Sequence, residues 1–236
     1  CQTAARVHSC VQRLRLYRVL NMGSSRSRQG LRRNVIVACT CIGMLTVAWS
    51  GTLSAALVAS PPKYTHFGVN TYSLEIGGKS LLIDPLLVGD LSFAGQRWAF
   101  VGTRTKVVKL MAEDVAGKYD AVVLSQGLED HAHTPTLKAI SKTVPVIACP
   151  SAEGVLRDLG YQDVNVLAPG QETMIGPNLR ISAIPGSVVG PPWQAPENGY
   201  IFTDTREGGL AVGAEPHGNF LGPLLGTSLR RLPKPP

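Results

Sequence analysis

Leu124-Ser125-Gln126-Gly127-Leu128-Glu129-Asp130-His131-Ala132-His133 sets a carboxylate and two imidazoles directly behind an apolar run. Residues 119–125 (Tyr-Asp-Ala-Val-Val-Leu-Ser) have the β-branched character of a short buried strand. Residues 134–143 are expected to form a helix, with Thr134 as N-cap and Pro135 in the first helical position. The cluster then falls on a strand-to-helix loop, where layered α/β folds place their ligands. Imidazole and carboxylate at this density are donors suited to a Zn²⁺-like ion. Taken alone, three polar residues on a loop are also accounted for by solvation, with Asp130 capping a turn. The flanking sequence decides between the two.

Upstream runs Tyr72-Ser73-Leu74-Glu75-Ile76-Gly77-Gly78-Lys79-Ser80-Leu81-Leu82-Ile83-Asp84-Pro85, and downstream stands Ile184-Pro185-Gly186-Ser187. Beyond them come Glu197-Asn198-Gly199-Tyr200 and Glu215-Pro216-His217-Gly218. In this order the segments resemble the metallo-β-lactamase superfamily over roughly residues 64–220. The nearest likeness is to a branch from cyanobacteria and plastid-bearing organisms that carries Ser-Gln-Gly-Leu-x-Asp-His-Ala-His. The resemblance implies an αββα sandwich and a metal-binding loop of the Ser/Thr-His-x-His-x-Asp-His kind. Carried over residue by residue, the family's first two loop imidazoles fall on Gln126 and Leu128, and the later Pro-Gly-His imidazole on Ser187. Asp130 and His131 keep the Asp-His pair, and Glu215 stands near the family's metal-bridging Asp. Leucine cannot ligate, and Gln and Ser are poor substitutes for imidazole, so the three-His site is expected to be lost.

A rebuilt site for one ion can draw on Asp130, His131, His133, Glu215 and His217. The pairs His131/His133 and Glu215/His217 are each two residues apart, which on an extended backbone puts both side chains on one side. One divalent transition metal (Zn, Mn or Fe) suits such donors. It would activate water against a small-molecule ester, lactone or phosphoester, with Asp130 or Glu215 taking the proton. The alternative is a catalytically inactive descendant that keeps the fold to bind a ligand or a protein.

The formal charge of +7 points to nucleic acid only until it is located. Residues 1–60 hold eight Arg and no Lys, Asp or Glu, leaving 15 Lys and Arg against 16 Asp and Glu in the remainder. The folded part is near neutral, and no nucleic-acid partner is expected. Residues 1–60 read as a targeting leader, with Arg32-Arg33 preceding an uncharged stretch over 34–59 that ends in small residues. A chloroplast destination follows, in the thylakoid lumen if 34–59 is cleaved or the thylakoid membrane if it is retained as a transmembrane span. Four of the five cysteines lie in that leader and only Cys149 in the domain, so no disulfide framework is expected.

Ser60-Pro61-Pro62 marks a linker, which puts the domain at residues 61–220 and a disordered tail at 221–236. Strands are expected at 65–70, 73–76 and 80–84, with a Gly77-Gly78 hairpin. From residue 119 an alternation of strands (119–125, 144–149, 163–167) and helices (134–143, 151–159) gives way to strands at 172–175, 179–184, 199–203 and 210–214. Residues 86–105 and 186–198 are the candidate pocket walls. The chain ends shortly after Glu215-Pro216-His217-Gly218, so a sheet edge or face is expected to need an oligomer or another partner to cover it.

Overall fold

The computed structural model describes residues 13–18, 59–92, 101–103, 110–188 and 195–217. Its strands are β1 (Arg13–Arg18), β2 (Lys63–Gly68), β3 (Thr71–Ile76), β4 (Lys79–Ile83), β5 (Ala121–Leu124), β6 (Val146–Ala148) and β7 (Val164–Val166). They continue as β8 (Glu172–Ile175), β9 (Leu179–Pro185), β10 (Asn198–Asp204) and β11 (Leu210–Glu215). Three short helices, α1 (Val115–Lys118), α2 (Thr134–Ala139) and α3 (Glu153–Asp158), stand between the central strands.

The strands form two sheets. One is antiparallel throughout, in the order β1-β11-β10-β9-β8. The other runs β2-β3-β4-β5-β6-β7, with an antiparallel start and parallel pairing from β4 onward. The inner strands β5 and β6, with Leu81, Leu82 and Ile83 of β4, are continuous apolar runs, as strands buried on both faces must be. Alternation then sorts their side chains. Leu81, Ile83, Ala121, Val123 and Ile147 turn to the second sheet, where they meet Leu179, Ile181, Tyr200, Phe202 and Val212. Leu82, Val122, Leu124, Val146 and Ala148 turn the other way and pack on Val115, Leu137 and Leu156 of the helices. The result is the layered α+β sandwich expected from the sequence, with helices over the mixed sheet among the described residues.

The sheets are stitched together beside the loop after β5. Tyr200 donates its hydroxyl to the Leu124 carbonyl (3.0 Å), and Asn198 donates through its backbone to Ser125 (2.8 Å) and through Nδ2 to Leu167 (2.7 Å). Glu197-Asn198-Gly199-Tyr200 is therefore in part a structural seam.

The elements differ from expectation mainly in length. The helix expected over 134–143 stops at Ala139, because Ile140 is extended and Lys142 curls its ammonium back onto the Leu137, Lys138 and Ile140 carbonyls. The N-cap residue is His133 rather than Thr134. Thr134 instead hands its N–H and hydroxyl to Glu129 (3.1 and 2.7 Å), which fastens the start of the helix to the loop.

β1 falls inside the stretch read from sequence as a leader. It pairs along the outer edge of β11, from Arg13 opposite Glu215 to Arg18 opposite Leu210, so that edge is occupied. Most of 34–59, much of the candidate pocket walls (93–100, 104–105 and 189–194) and the tail at 221–236 lie outside the described residues. Among the described residues no helix is long and apolar enough to cross a membrane.

Candidate metal centre

Asp84 organises the floor of the site. It follows β4 with φ of 44°, a left-handed conformation that a non-glycine residue adopts only when its surroundings dictate it. Here they do. Its N–H donates to Val123 (3.0 Å), and its carbonyl accepts from the Thr71 hydroxyl (2.9 Å). Its fully buried carboxylate takes the Ser125 N–H (2.8 Å) on one oxygen, and the Ser125 hydroxyl (2.6 Å) and His131 Nδ1 (2.9 Å) on the other. A carboxylate on Nδ1 fixes the ring and directs Nε2 outward.

The loop after β5 supplies the next groups. Leu128 receives the N–H groups of both His131 (2.9 Å) and Ala132 (2.7 Å), so residues 128–132 form a tight turn. Gly127 permits it. A Cβ there would sit 2.6 Å from the Ser151 carbonyl carbon, so only glycine lets the loop lie against the chain before α3. The turn brings Asp130 Oδ2 to 3.5 Å from His131 Nε2. On the far side, His217 holds its ring 5.3 Å from that of His131, tilted by 54°, and engages Glu197 Oε2 through Nδ1 at 2.6 Å.

Asp130, His131 and His217 thus each offer a donor atom within 4.8 Å of the other two. Of the five residues expected to share a site, the structure brings these three together. His133 and Glu215 fall outside the group, and the reason is backbone geometry. The two-residue rule assumed extended chain, but 131–133 belong to a turn that leads into α2. His133 therefore points back to the Thr136 hydroxyl (2.9 Å), which itself receives the Leu87 and Val88 N–H groups. Glu215 is still in β11 beside Gly199, whereas Pro216 and His217 bend away from the strand.

Burial by itself lowers the proton affinity of His131. The Asp84 carboxylate, with hydrogen bonds that the ring donates to Asp130 and Asp84, more than reverses this and holds its pKa at about 10. For Asp130, burial pushes the carboxyl up, and the His131 hydrogen bond and charge overcome that and leave it lowered. The same field that favours a proton favours a metal cation, which would displace that proton on binding. Asn70 donates through Nδ2 to the Asp130 carbonyl (3.1 Å), and the same atom lies 3.1 Å from His131 Nε2. A metal at that nitrogen would displace the carboxamide contact.

The residues fit a divalent transition metal on three counts. The donor set is one carboxylate and two imidazoles. Both imidazoles have Nδ1 tied to a fully buried carboxylate, Asp84 or Glu197, which leaves Nε2 to ligate. Asp130 Oδ1 is buried and accepts no hydrogen bond among the described residues. Ser187 and Gln126, which the sequence resemblance set at two imidazole positions, are both buried. Sequence reasoning overlooked Asp84, Ser125, Asn70 and Glu197. The Ile-Asp-Pro after the hairpin and the Glu before Asn-Gly-Tyr were the available signals.

Comparison with known proteins agrees with this architecture. A possible metal-dependent hydrolase from Veillonella parvula superposes with a TM-score of 0.56 at 21% identity, over 71% of this chain and 67% of that one. The isothiocyanate hydrolase from Delia radicum gut bacteria gives 0.52 at 22% identity, over 69% and 65%. The chain thus spans about two-thirds of the length of these structures. No curated protein matches it. The family described as the Beta-lactamase superfamily domain matches residues 63–221, and the chain belongs to that superfamily.

Proposed function

We propose that this protein is a single-metal hydrolase of small esters, lactones or phosphoesters, with one Zn, Mn or Fe ion held by Asp130, His131 and His217. The observation that carries the reading is the pair of imidazoles whose Nδ1 atoms are each tied to a buried carboxylate beside an Asp130 oxygen without a hydrogen bond. A divalent ion in that position supplies Lewis-acid activation of water toward an acyl or phosphoryl centre. Asp84 and Glu197 keep the two rings in one tautomer and orientation. Asp130 Oδ1, buried and without a hydrogen bond among the described residues, is the proton acceptor in this reading, and Glu215, at the end of β11 and outside the three-residue group, is the alternative. The hydrolase neighbours support the class of chemistry. We further propose organellar targeting, on the strength of the acid-free first 60 residues.

The substitutions at Gln126, Leu128 and Ser187 favour a second reading, a binding module without turnover. Assay of the metal-loaded chain against panels of p-nitrophenyl esters, lactones and phosphodiesters separates the two. Turnover proportional to metal content and abolished in Asp130→Ala supports the hydrolase. Stoichiometric metal with no turnover on any panel favours the module.

A further inference from the structure

Glu197 has no exposed surface. A carboxylate removed from water costs several kcal/mol unless a cation or hydrogen-bond donors replace the solvent. Two donors do so here. Oε1 takes the Ser187 N–H at 3.2 Å, and Oε2 faces His217 Nδ1 at 2.6 Å. The backbones are locked as well, with Gly186 N–H on the Glu197 carbonyl and Glu197 N–H on the Ser187 carbonyl, both at 3.0 Å. Gly186 makes room for this pairing. A Cβ at that position would lie 2.5 Å from Glu197 Cγ and 2.7 Å from its carbonyl oxygen.

The end of β9 therefore does something other than present a side chain to the site. Ser187 replaces the imidazole that the sequence resemblance led us to expect there. Its Oγ is buried and makes no hydrogen bond among the described residues. The work is done by the backbone, which grips Glu197 from both sides, while Glu197 grips His217.

We infer that Glu197 is a positioning residue that recruits His217 from beyond β11 as a metal ligand, in place of the imidazole lost at Ser187. The inference rests on the single-ion reading above. Its chemistry is that of a carboxylate on the remote ring nitrogen. Nδ1–H is donated to Glu197, the Nε2 lone pair is fixed toward Asp130 and His131, and the ring becomes a stronger donor. Gly186, Ser187, Glu197 and His217 form one unit in which an imidazole from the bend after β11 stands in for the one expected at Ser187.

The test is a zinc titration of the full chain in competition with a chromophoric chelator, for wild type, Glu197→Gln, His217→Ala and the double variant. Glutamine keeps an oxygen for the Ser187 N–H but cannot accept from Nδ1 at its other end. Expected is a loss of zinc affinity of about 10–100-fold in Glu197→Gln. No further loss is expected when that change is added to His217→Ala, because Glu197 acts only through His217. Zinc binding by Glu197→Gln at wild-type strength overturns the inference, as does a double variant whose losses add. Wild-type zinc binding that survives His217→Ala unchanged overturns it while leaving an ion at Asp130 and His131. Absence of zinc binding in the wild type overturns both readings. If Glu197→Gln does not fold, long-range ¹H–¹⁵N spectra of the wild-type histidine rings decide. A proton on Nδ1 of His217 supports the inference, and a proton on Nε2 alone overturns it.

Discussion

Asp84→Asn perturbs the site at its foundation. Asparagine tolerates the 44° φ better than most residues, and its oxygen can still accept the Ser125 N–H. The other end of the side chain becomes an NH₂ group facing the Ser125 hydroxyl and His131 Nδ1, where an oxygen now lies 2.6 and 2.9 Å away. Nδ1 must then accept, which moves the ring proton to Nε2 and removes the lone pair offered to the cluster. Without metal, the buried imidazolium loses its nearest counter-charge. Breaking a buried ion pair from one side costs about 3–5 kcal/mol. Asp130 remains 3.5 Å from Nε2, so we expect the lower end, about 3 kcal/mol. With metal, loss of the supporting carboxylate should weaken affinity about 10–100-fold. Urea unfolding at pH 7 with chelator present measures the first effect, and zinc titration the second. An unfolding midpoint and a zinc affinity both equal to wild type would refute the reasoning.

Three further outcomes follow from other parts of the structure. Gly127→Ala forces a Cβ against the Ser151 backbone and should cost about 1–3 kcal/mol of stability while weakening zinc binding, both read from the same titrations. Tyr200→Phe removes one of the two donors on the buried Leu124 carbonyl, leaving the Cys149 N–H at 3.0 Å, and should lower stability in urea by about 0.5–1.5 kcal/mol, with zinc stoichiometry unchanged. Asp120 is raised by burial, but its hydrogen bonds to Lys79 and the Ser80 N–H outweigh that and leave its pKa lowered. Its contribution is therefore present above the unfolded value near 4 and is lost as pH falls through the folded value. Between about pH 5 and 2, wild type should lose a few tenths to about 1 kcal/mol more than Asp120→Asn, the amount being small because both partners are partly exposed.

How much the sequence revealed depended on how local the physics was. β5 and β6 were legible because Val122, Val123, Val146 and Ile147 are apolar in both directions, as strands between a helical layer and a second sheet must be. The hairpin was legible in Gly77-Gly78, whose φ values of 62° and 73° suit glycine in a two-residue turn. His131 and Asp130 were found as a motif, but the fate of His133 was not. The spacing rule needs extended chain, and the Leu128 carbonyl closes a turn instead. His217 was named for the right reason only in part, since the bend after β11, rather than strand alternation, swings it toward His131. Asp84 and Glu197 were hidden because they lie 47 and 20 residues from the rings they hold. Only the register of β4 beside β5, and of β10 beside β11, brings them there. The shortening of α2 likewise comes from a side chain, Lys142, that reaches back over the helix end.

The central claim is that Asp130, His131 and His217 hold one ion, and elemental analysis of the full chain purified without chelators or a histidine tag tests it directly. The account predicts about one equivalent of a transition metal in the wild type and in His133→Ala, and little in His131→Ala. A folded wild-type chain that carries none and takes up none from excess zinc would contradict it, as would a His131→Ala variant that keeps its full equivalent.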